Sequence, residues 1–396
     1  MTMRTDVLIV GAGPVGVLNA LGLAQQGMSV RLLEAEPAVV QSPRAMVYHW
    51  SVLEGLERLG VLDEALRTGF RKQDYTYLVF ATGERIDYSV GVLEGRVRHP
   101  YNLHLGQHEL AEIALRRLAD LGVPVHFGTR VSGVSQDDTS VSVTARTPDG
   151  ETAFSAGWVI GADGARSAVR DAVGLTFDGM TWDERFVATN IRYDFDGHGY
   201  GRSTLQIDPT YGAIIAKIDN TGLWRCTYCE DRSLPEDTVL ERMPSFFDRI
   251  LPGDKDYELV QYSPYRMHQR AASSFRAGRV LLAGDAAHAT NPTGGLGLTS
   301  GLFDSYVLYD ALAAVISGRA REGVLDRYAA ERRRMFVEVA SPAATENKRL
   351  VYHSSDHVRL EADLERLRLV AKDEQLQVER FMASKKLETP ALVQAD

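Results

Sequence analysis

Gly11, Gly13 and Gly16 stand at the spacing G-x-G-x-x-G, between the apolar run DVLIV and a stretch with helical periodicity. Glycines at those places let a chain turn sharply, bring backbone against a pyrophosphate, and pack a helix closely on a strand. A helix that begins there offers unpaired N–H groups and the positive end of its dipole to phosphate oxygens. Glu34 closes the next strand, about 20 residues on, where a carboxylate accepts from a ribose 2′-hydroxyl. A 2′-phosphate would meet that carboxylate with like charge. The turn therefore reads as a site for FAD or NAD, with NADP the poorest candidate.

Other reactive side chains carry less. Cys226 and Cys229 form a CxxC, but a structural zinc takes four ligands and no second pair exists. A redox CxxC sits at a helix N-terminus, whereas this one lies in LWRCTYCE, which alternates like a strand. We read plain strand cysteines and no metal site. His353 and His357 are spaced i, i+4 without the glutamate of HExxH, so they read as one solvated helix face. His198, in DGHGYG, reads as a loop residue.

The elements that must position these residues follow from periodicity. Residues 5–34 give strand, turn, helix, strand, a βαβ unit. Amphipathic helices are expected over 51–67 and 107–121. Residues 123–160 alternate and end in the buried-looking strand GWVIGAD. From 181 to 270 runs such as RFVATNIRYDF and LWRCTYCE predict an antiparallel sheet. GRVLLAGDAAH at 278–288 returns to a parallel-type strand, followed by a glycine-rich turn, a helix over 301–317 and a helical tail to about 385. The expected fold is α/β: a Rossmann-like nucleotide-binding domain, an inserted, mainly antiparallel β-sheet domain, and a helical C-terminal tail.

Composition excludes several classes. The chain has 396 residues and a net charge of 44 − 53 = −9, with no clustered basic footprint for nucleic acid. No run reaches the roughly 18 apolar residues of a membrane span. MTMRTDVLIV has no secretory pattern. The expectation is a cytoplasmic protein without nucleic-acid or membrane partners, monomeric or homodimeric.

Two later segments narrow the choice of cofactor. GADGARSAVR, with Asp163 and Arg166, resembles the DG motif of single-component FAD-dependent aromatic hydroxylases, the para-hydroxybenzoate hydroxylase family, and GRVLLAGDAAHATNPTGGLGLTSG resembles its GD motif. The order GxGxxG, DG, GD matches that family over roughly residues 5–345. The tail is too short for the thioredoxin-like domain of the phenol hydroxylase branch, although TWDERF and YRMHQRAASSFRAGRV resemble the hydroxyphenylpropionate hydroxylases of that branch.

The resemblance implies tightly held, non-covalent FAD in a discontinuous domain of the GR2 type (1–72, 100–180 and 270–345). It also implies a substrate domain (73–99 and 181–269) and a C-terminal helical segment (346–396). Asp285 would hold a ribitol hydroxyl, and the turn with Gly295, Gly297, Leu298 and Thr299 would face the flavin pyrimidine edge. Relatives commonly have Asn where Thr299 stands. Arg44 would reach the cofactor, Gln107 would lie beside the flavin chain, and Asp163 and Arg166 would link FAD binding to NADH or NADPH use. His288, in GDAAH, would serve flavin-loop geometry.

The implied reaction hydroxylates a small aromatic, phenolic substrate with O2 through a flavin C4a-hydroperoxide. Pro292 and Thr293 would line the substrate side of the flavin, with His268 approaching the pocket. Arg192, Tyr193, Tyr211, Arg225 and Tyr228 are the polar candidates for substrate contact. Strand alternation forbids both members of the pairs Arg192/Tyr193 and Arg225/Tyr228 from facing one pocket. An inward arginine would favour a carboxylate-bearing substrate. A halogenase would need WxWxIP, which is absent. An isoprenoid epoxidase or reductase, and a non-catalytic FAD-binding protein, share the three motifs.

Overall fold

The computed structural model describes residues 5–41, 43 and 46–393. Thr5–Val10 is the central strand of a parallel sheet, flanked by Gly150–Gly161 and Val30–Leu33, with Val280–Leu282 and Val125–His126 outside them. Val7, Leu8 and Ile9 are fully buried, as a strand covered by helices on both faces requires. The long strand Gly150–Gly161 also carries an antiparallel extension, Val141–Thr147 and Arg130–Gln136. Helices Pro14–Gln25 and Leu296–Ile316 cross so closely that a Cβ on Gly22 would fall 2.4 Å from the Tyr309 ring. Only glycine allows that crossing.

A second sheet runs in the order His288–Ala289, Glu258–Ala272, Phe177–Arg192, Leu223–Asp231, Ala213–Lys217, Ser203–Ile207, Asp74–Val79, Glu84–Ser89. It is antiparallel except where Ser203–Ile207 pairs with Asp74–Val79. Phe177–Arg192 and Glu258–Ala272 pair from Phe177↔Ala272 to Arg192↔Glu258, the longest pairing in this sheet. Alternation sorts Leu223–Asp231 as expected. Trp224, Cys226 and Tyr228 pack into the cluster under helix Val239–Ile250, and Arg225 faces the other way, into a cavity. Cys226 and Cys229 are free strand cysteines.

A third sheet was not foreseen: Val47–Tyr48, Asn102–His104 and Phe70–Lys72, all antiparallel. The helix expected over 51–67 is two helices, Trp50–Arg58 and Leu62–Thr68, because Gly60 takes φ 70° between them. The helix expected at 301 begins earlier, at Leu296, capped by Gly295 at φ 69°. The C-terminal helices fold back on the second sheet, where Tyr88 donates to the Leu367 carbonyl at 2.7 Å and Arg368 pairs with Glu84 at 2.7 Å. His353 and His357 do not share one solvated face. His353 ends helix Ser341–Tyr352 and lies 2.7 Å from a Glu184 carboxylate oxygen, while His357 opens the next helix. Among the described residues no helix is long and apolar enough to cross a membrane, and no cluster could ligate a metal.

Candidate active site

The glycine turn opens onto a cleft lined by Gly11, Gly13, Glu34, Gln107, Asp163 and Arg166 among others. The three glycines have separate reasons. A Cβ on Gly11 would sit 2.3 Å from the Ala162 carbonyl oxygen, and one on Gly16 would sit 1.8 Å from that of Gly11. These two allow close packing. A Cβ on Gly13 would meet nothing, since that residue is exposed at the mouth of the helix Pro14–Gln25. There the backbone can approach a phosphate.

Glu34 accepts from the Ala12 N–H at 2.6 Å and from the Glu36 N–H at 2.9 Å, which fixes its carboxylate at the rim with lone pairs to spare. Gln107 opens helix Gln107–Asp120, whose start is tied by the Gly106 N–H to Glu109 at 2.7 Å. Asp163 accepts from the Ser167 hydroxyl at 2.5 Å and the Val169 N–H at 3.2 Å. Burial raises its carboxyl pKa, against the lowering effect of those bonds. Arg44 lies outside the described residues.

The second aspartate motif forms the tight turn Gly284–Ala286. Gly284 and Ala286 are buried while Asp285 between them is exposed, so the turn turns this carboxylate outward. Val15, next to Pro14 of the cleft, abuts the turn: a Cβ on Gly284 would lie 2.8 Å from Val15 Cγ2. Behind the turn, Asp304 is fully buried. It accepts from the Gly284 N–H at 2.9 Å and from Arg332 Nε at 2.8 Å, and His288 Nε2 lies 2.7 Å away. Burial works to raise the Asp304 carboxyl, but His288 and Arg332 outweigh it and hold it low. His288 is thus a structural residue, stacked on Phe336 at 4.4 Å.

Pro292, Gly294 and Gly295 then head helix Leu296–Ile316 and form one wall of an internal cavity. Both the hydroxyl and the N–H of Thr299 go to the Gly295 carbonyl, at 3.0 and 3.3 Å. The first-turn N–H groups without an intrahelical acceptor are therefore those of Leu296, Gly297 and Leu298. They give the helix end its partial positive charge. Thr293 is buried beside them, its N–H donating to Asn291 Oδ1 at 3.1 Å.

The opposite walls of this cavity come from the second and third sheets and include Arg225, Tyr265, His49, Lys72, Tyr75 and Asn102. Burial pushes Arg225 down to about 10, so it stays cationic at neutral pH, and its Nε donates to Asn190 Oδ1 at 2.9 Å. Burial, then Lys72, pushes His49 down to about 4, against the raising effect of its bond to the Gly294 backbone. His49, Lys72, Tyr75, Asn102 and Tyr265 carry no motif. They become visible only once the third sheet exists.

Several expected contacts lie elsewhere. Tyr211 packs against Phe80 and Phe246 on the far side of the sheet. Tyr228 stacks on Phe246 at 4.0 Å. Arg192 is exposed and pairs with Glu258, and Tyr193 is turned to the backbone at Pro252 and Asp254. His268 does not line the cavity. Its Nδ1 lies 2.9 Å from the Thr181 hydroxyl, and its pKa is lowered by burial, then by Arg270 and Arg166, against Asp285. It therefore sits at the junction of the two aspartate motifs, outside the ring cavity.

A family model described as "FAD binding domain" matches residues 4–343. The chain is 46% identical over 355 residues to 6-hydroxy-3-succinoylpyridine 3-monooxygenase of Pseudomonas putida, covering 89% of this chain and 90% of that one. It is 44% identical over 370 residues to para-nitrophenol 4-monooxygenase of a Pseudomonas species, covering 92% and 91%. The crystal structure of p-nitrophenol 4-monooxygenase from Pseudomonas putida superposes with a TM-score of 0.94 at 41% identity, over 98% of this chain and 99% of that one.

Proposed function

The chain belongs to the FAD binding domain family, and from that premise we propose that it is a monooxygenase that inserts one oxygen atom into a small phenolic or hydroxypyridine ring, using FAD, O2 and NADH or NADPH. One observation carries the reading. The turn that would meet a flavin ring, Pro292–Gly295, is itself a wall of the cavity holding Arg225 and Lys72. The named relatives act on a nitrophenol and a hydroxypyridine, both compact rings with polar substituents.

The chain fits the cofactor on geometry of its own. Gly13 leaves open space at a helix N-terminus, Glu34 lines the same cleft, and Asp285 is exposed on the turn that packs on Val15 beside the cleft. Those residues, with Gln107, Asp163 and the free N–H groups of Leu296, Gly297 and Leu298, would hold FAD. When bound, FAD takes hydride from the nicotinamide and activates dioxygen for transfer to the ring. The chain's own work is placement and exclusion of water. Pro292 and Gly295, which line the cavity, would separate a ring held there from the cofactor, and the helix end would stabilise negative charge on a flavin placed against it. Apolar lining residues such as Met46, Leu205 and Ile214 would help to exclude water once substrate and cofactor fill the cavity. Arg225 would take an anionic or two-oxygen acceptor substituent in its planar fork. Arg166, Arg270 and His268, clustered by the exposed mouth near Asp285, are suited to a nicotinamide dinucleotide's phosphates.

The test is a panel of hydroxylated rings added to the FAD-loaded enzyme. NAD(P)H oxidation is expected to be slow alone and to accelerate with phenols and hydroxypyridines carrying a nitro or carboxylate group. Flat rates across the panel would favour a non-catalytic flavoprotein or an isoprenoid-directed enzyme.

A further inference from the structure

The cavity lining holds two cations, Arg225 from the second sheet and Lys72 from the third, and only Arg225 has been given work. Lys72 ends the strand Phe70–Lys72 and is 1% exposed. It is paired across the third sheet with Asn102, which puts the two side chains on one face, with Cβ atoms roughly 4.5–5.5 Å apart. Phe70↔His104 and Val47↔His104 are paired likewise, so His104 and Val47 share that face.

The surroundings of Lys72 give its charge an aromatic face but no carboxylate ion pair among the described residues: its Nζ stands 5.1 Å from the Tyr75 ring centre. Asp74, the acid that acts on it, accepts instead from the Arg202 N–H at 2.5 Å. Arg202, His49 and His104 also feel it. The two histidines are held uncharged by burial and by Lys72 itself, pushed down to about 4 and about 3. Asn102 Oδ1 accepts from the Trp50 N–H at 2.9 Å, so its NH2 remains a donor. An ammonium without a counter-ion is costly there, which favours the neutral amine until a ligand brings an anion.

Resting on the monooxygenase reading above, we propose that Lys72 takes the proton of the substrate's ring hydroxyl and then holds the oxyanion, beside the Asn102 NH2, while Arg225 grips a second acceptor substituent across the ring. The step balances: the phenolic O–H breaks, an N–H forms on the neutral amine, and phenol plus amine become phenolate plus ammonium with no electrons exchanged. The division of labour follows from the two side chains. A guanidinium is always charged and cannot take a proton, but its fork matches two oxygens. A lysine pushed down to about 7 by burial has neutral amine available near neutrality. Ionising the hydroxyl sends electron density into the ring, which makes its carbon a better nucleophile toward activated oxygen. The substrate class this selects is a phenol or hydroxypyridine bearing a nitro, carboxylate or acyl group.

The probe is 4-hydroxyacetophenone, a weaker acid than 4-nitrophenol, whose phenolate absorbs at longer wavelength than its phenol. Titrated into the FAD-loaded enzyme near neutral pH, where the free ligand is still largely protonated and the Lys72 amine is available, it is expected to bind with the phenolate spectrum. Lys72→Met should bind it about ten-fold or more weakly, the loss of one charge-assisted hydrogen bond, and with the neutral phenol spectrum. Lys72→Arg should bind the pre-formed phenolate in alkaline buffer yet fail to ionise the phenol near neutral pH. A neutral phenol bound by the unmodified enzyme overturns the proposal without reference to any variant. So does Lys72→Met with unchanged affinity and a phenolate spectrum. In that case, hydroxylation by the unmodified enzyme would leave the monooxygenase reading standing. An unmodified enzyme that binds and oxidises no ring in the panel removes both.

Discussion

Lys72 lies in the cavity wall with its pKa pushed from an ordinary 10.5 to about 7, chiefly by burial. Between those values the unfolded chain carries a proton that the folded one does not, so raising the pH through that window should stabilise the fold. Below about pH 7 both states are protonated and the burial penalty is felt in full. Lys72→Met should therefore be more stable than the parent at neutral pH, by an amount of order 1–4 kcal/mol, and show a flatter pH dependence above it. Urea midpoints at the two ends of the window measure this. Equal slopes for the two proteins would mean that Lys72 is solvated. Nothing in FRKQDY announced this residue, because its burial depends on strands about 25 and 30 residues away. Gly13, Glu34 and Asp163, by contrast, could be brought to one cleft from spacing alone, because each stands beside a strand end whose local backbone geometry spacing records. Tyr228 was legible as a strand residue, but not which face would meet the cavity, and Tyr211 falls in the turn before Ala213–Lys217 rather than in a strand.

The Gly284–Ala286 turn owes its shape to a buried knot joining three helical elements. Asp304 comes from helix Leu296–Ile316 and Arg332 from Gly323–Met335, and Arg332 also donates to the Leu387 carbonyl at 2.6 Å and the Thr389 hydroxyl at 3.0 Å. Arg332→Ala would leave Asp304 buried without its cation. The expected cost is about 3–5 kcal/mol, read as a lowered denaturant midpoint, together with weaker FAD retention as the Asp285 turn loosens. A change within ordinary surface values would show that the ion pair is relieved by water. At this scale the sequence revealed helices by period but not their breaks. Gly60 splits one predicted helix in two, a break that an isolated glycine in an apolar period does not announce. Asp304 and Arg332 gave no signal because a buried pair 28 residues apart has no periodic signature.

Across the whole molecule, three distant stretches meet along one path: the glycine turn at 11–16, the aspartate of 163 with its cleft, and the 284–299 segment leading to the ring cavity. The α/β order with an inserted sheet was readable because each motif follows a strand and precedes a helix or turn. The small third sheet was not, since strands of two or three residues are too short for periodicity. If that path holds FAD with its reactive edge at Pro292, the oxygen entering the ring must come from dioxygen. Turnover of a nitro- or carboxy-phenol under isotopically heavy O2, with product mass recorded, tests this directly. One heavy oxygen atom per product molecule is expected. Product carrying oxygen from water, or hydrogen peroxide alone with the ring unchanged, would contradict it.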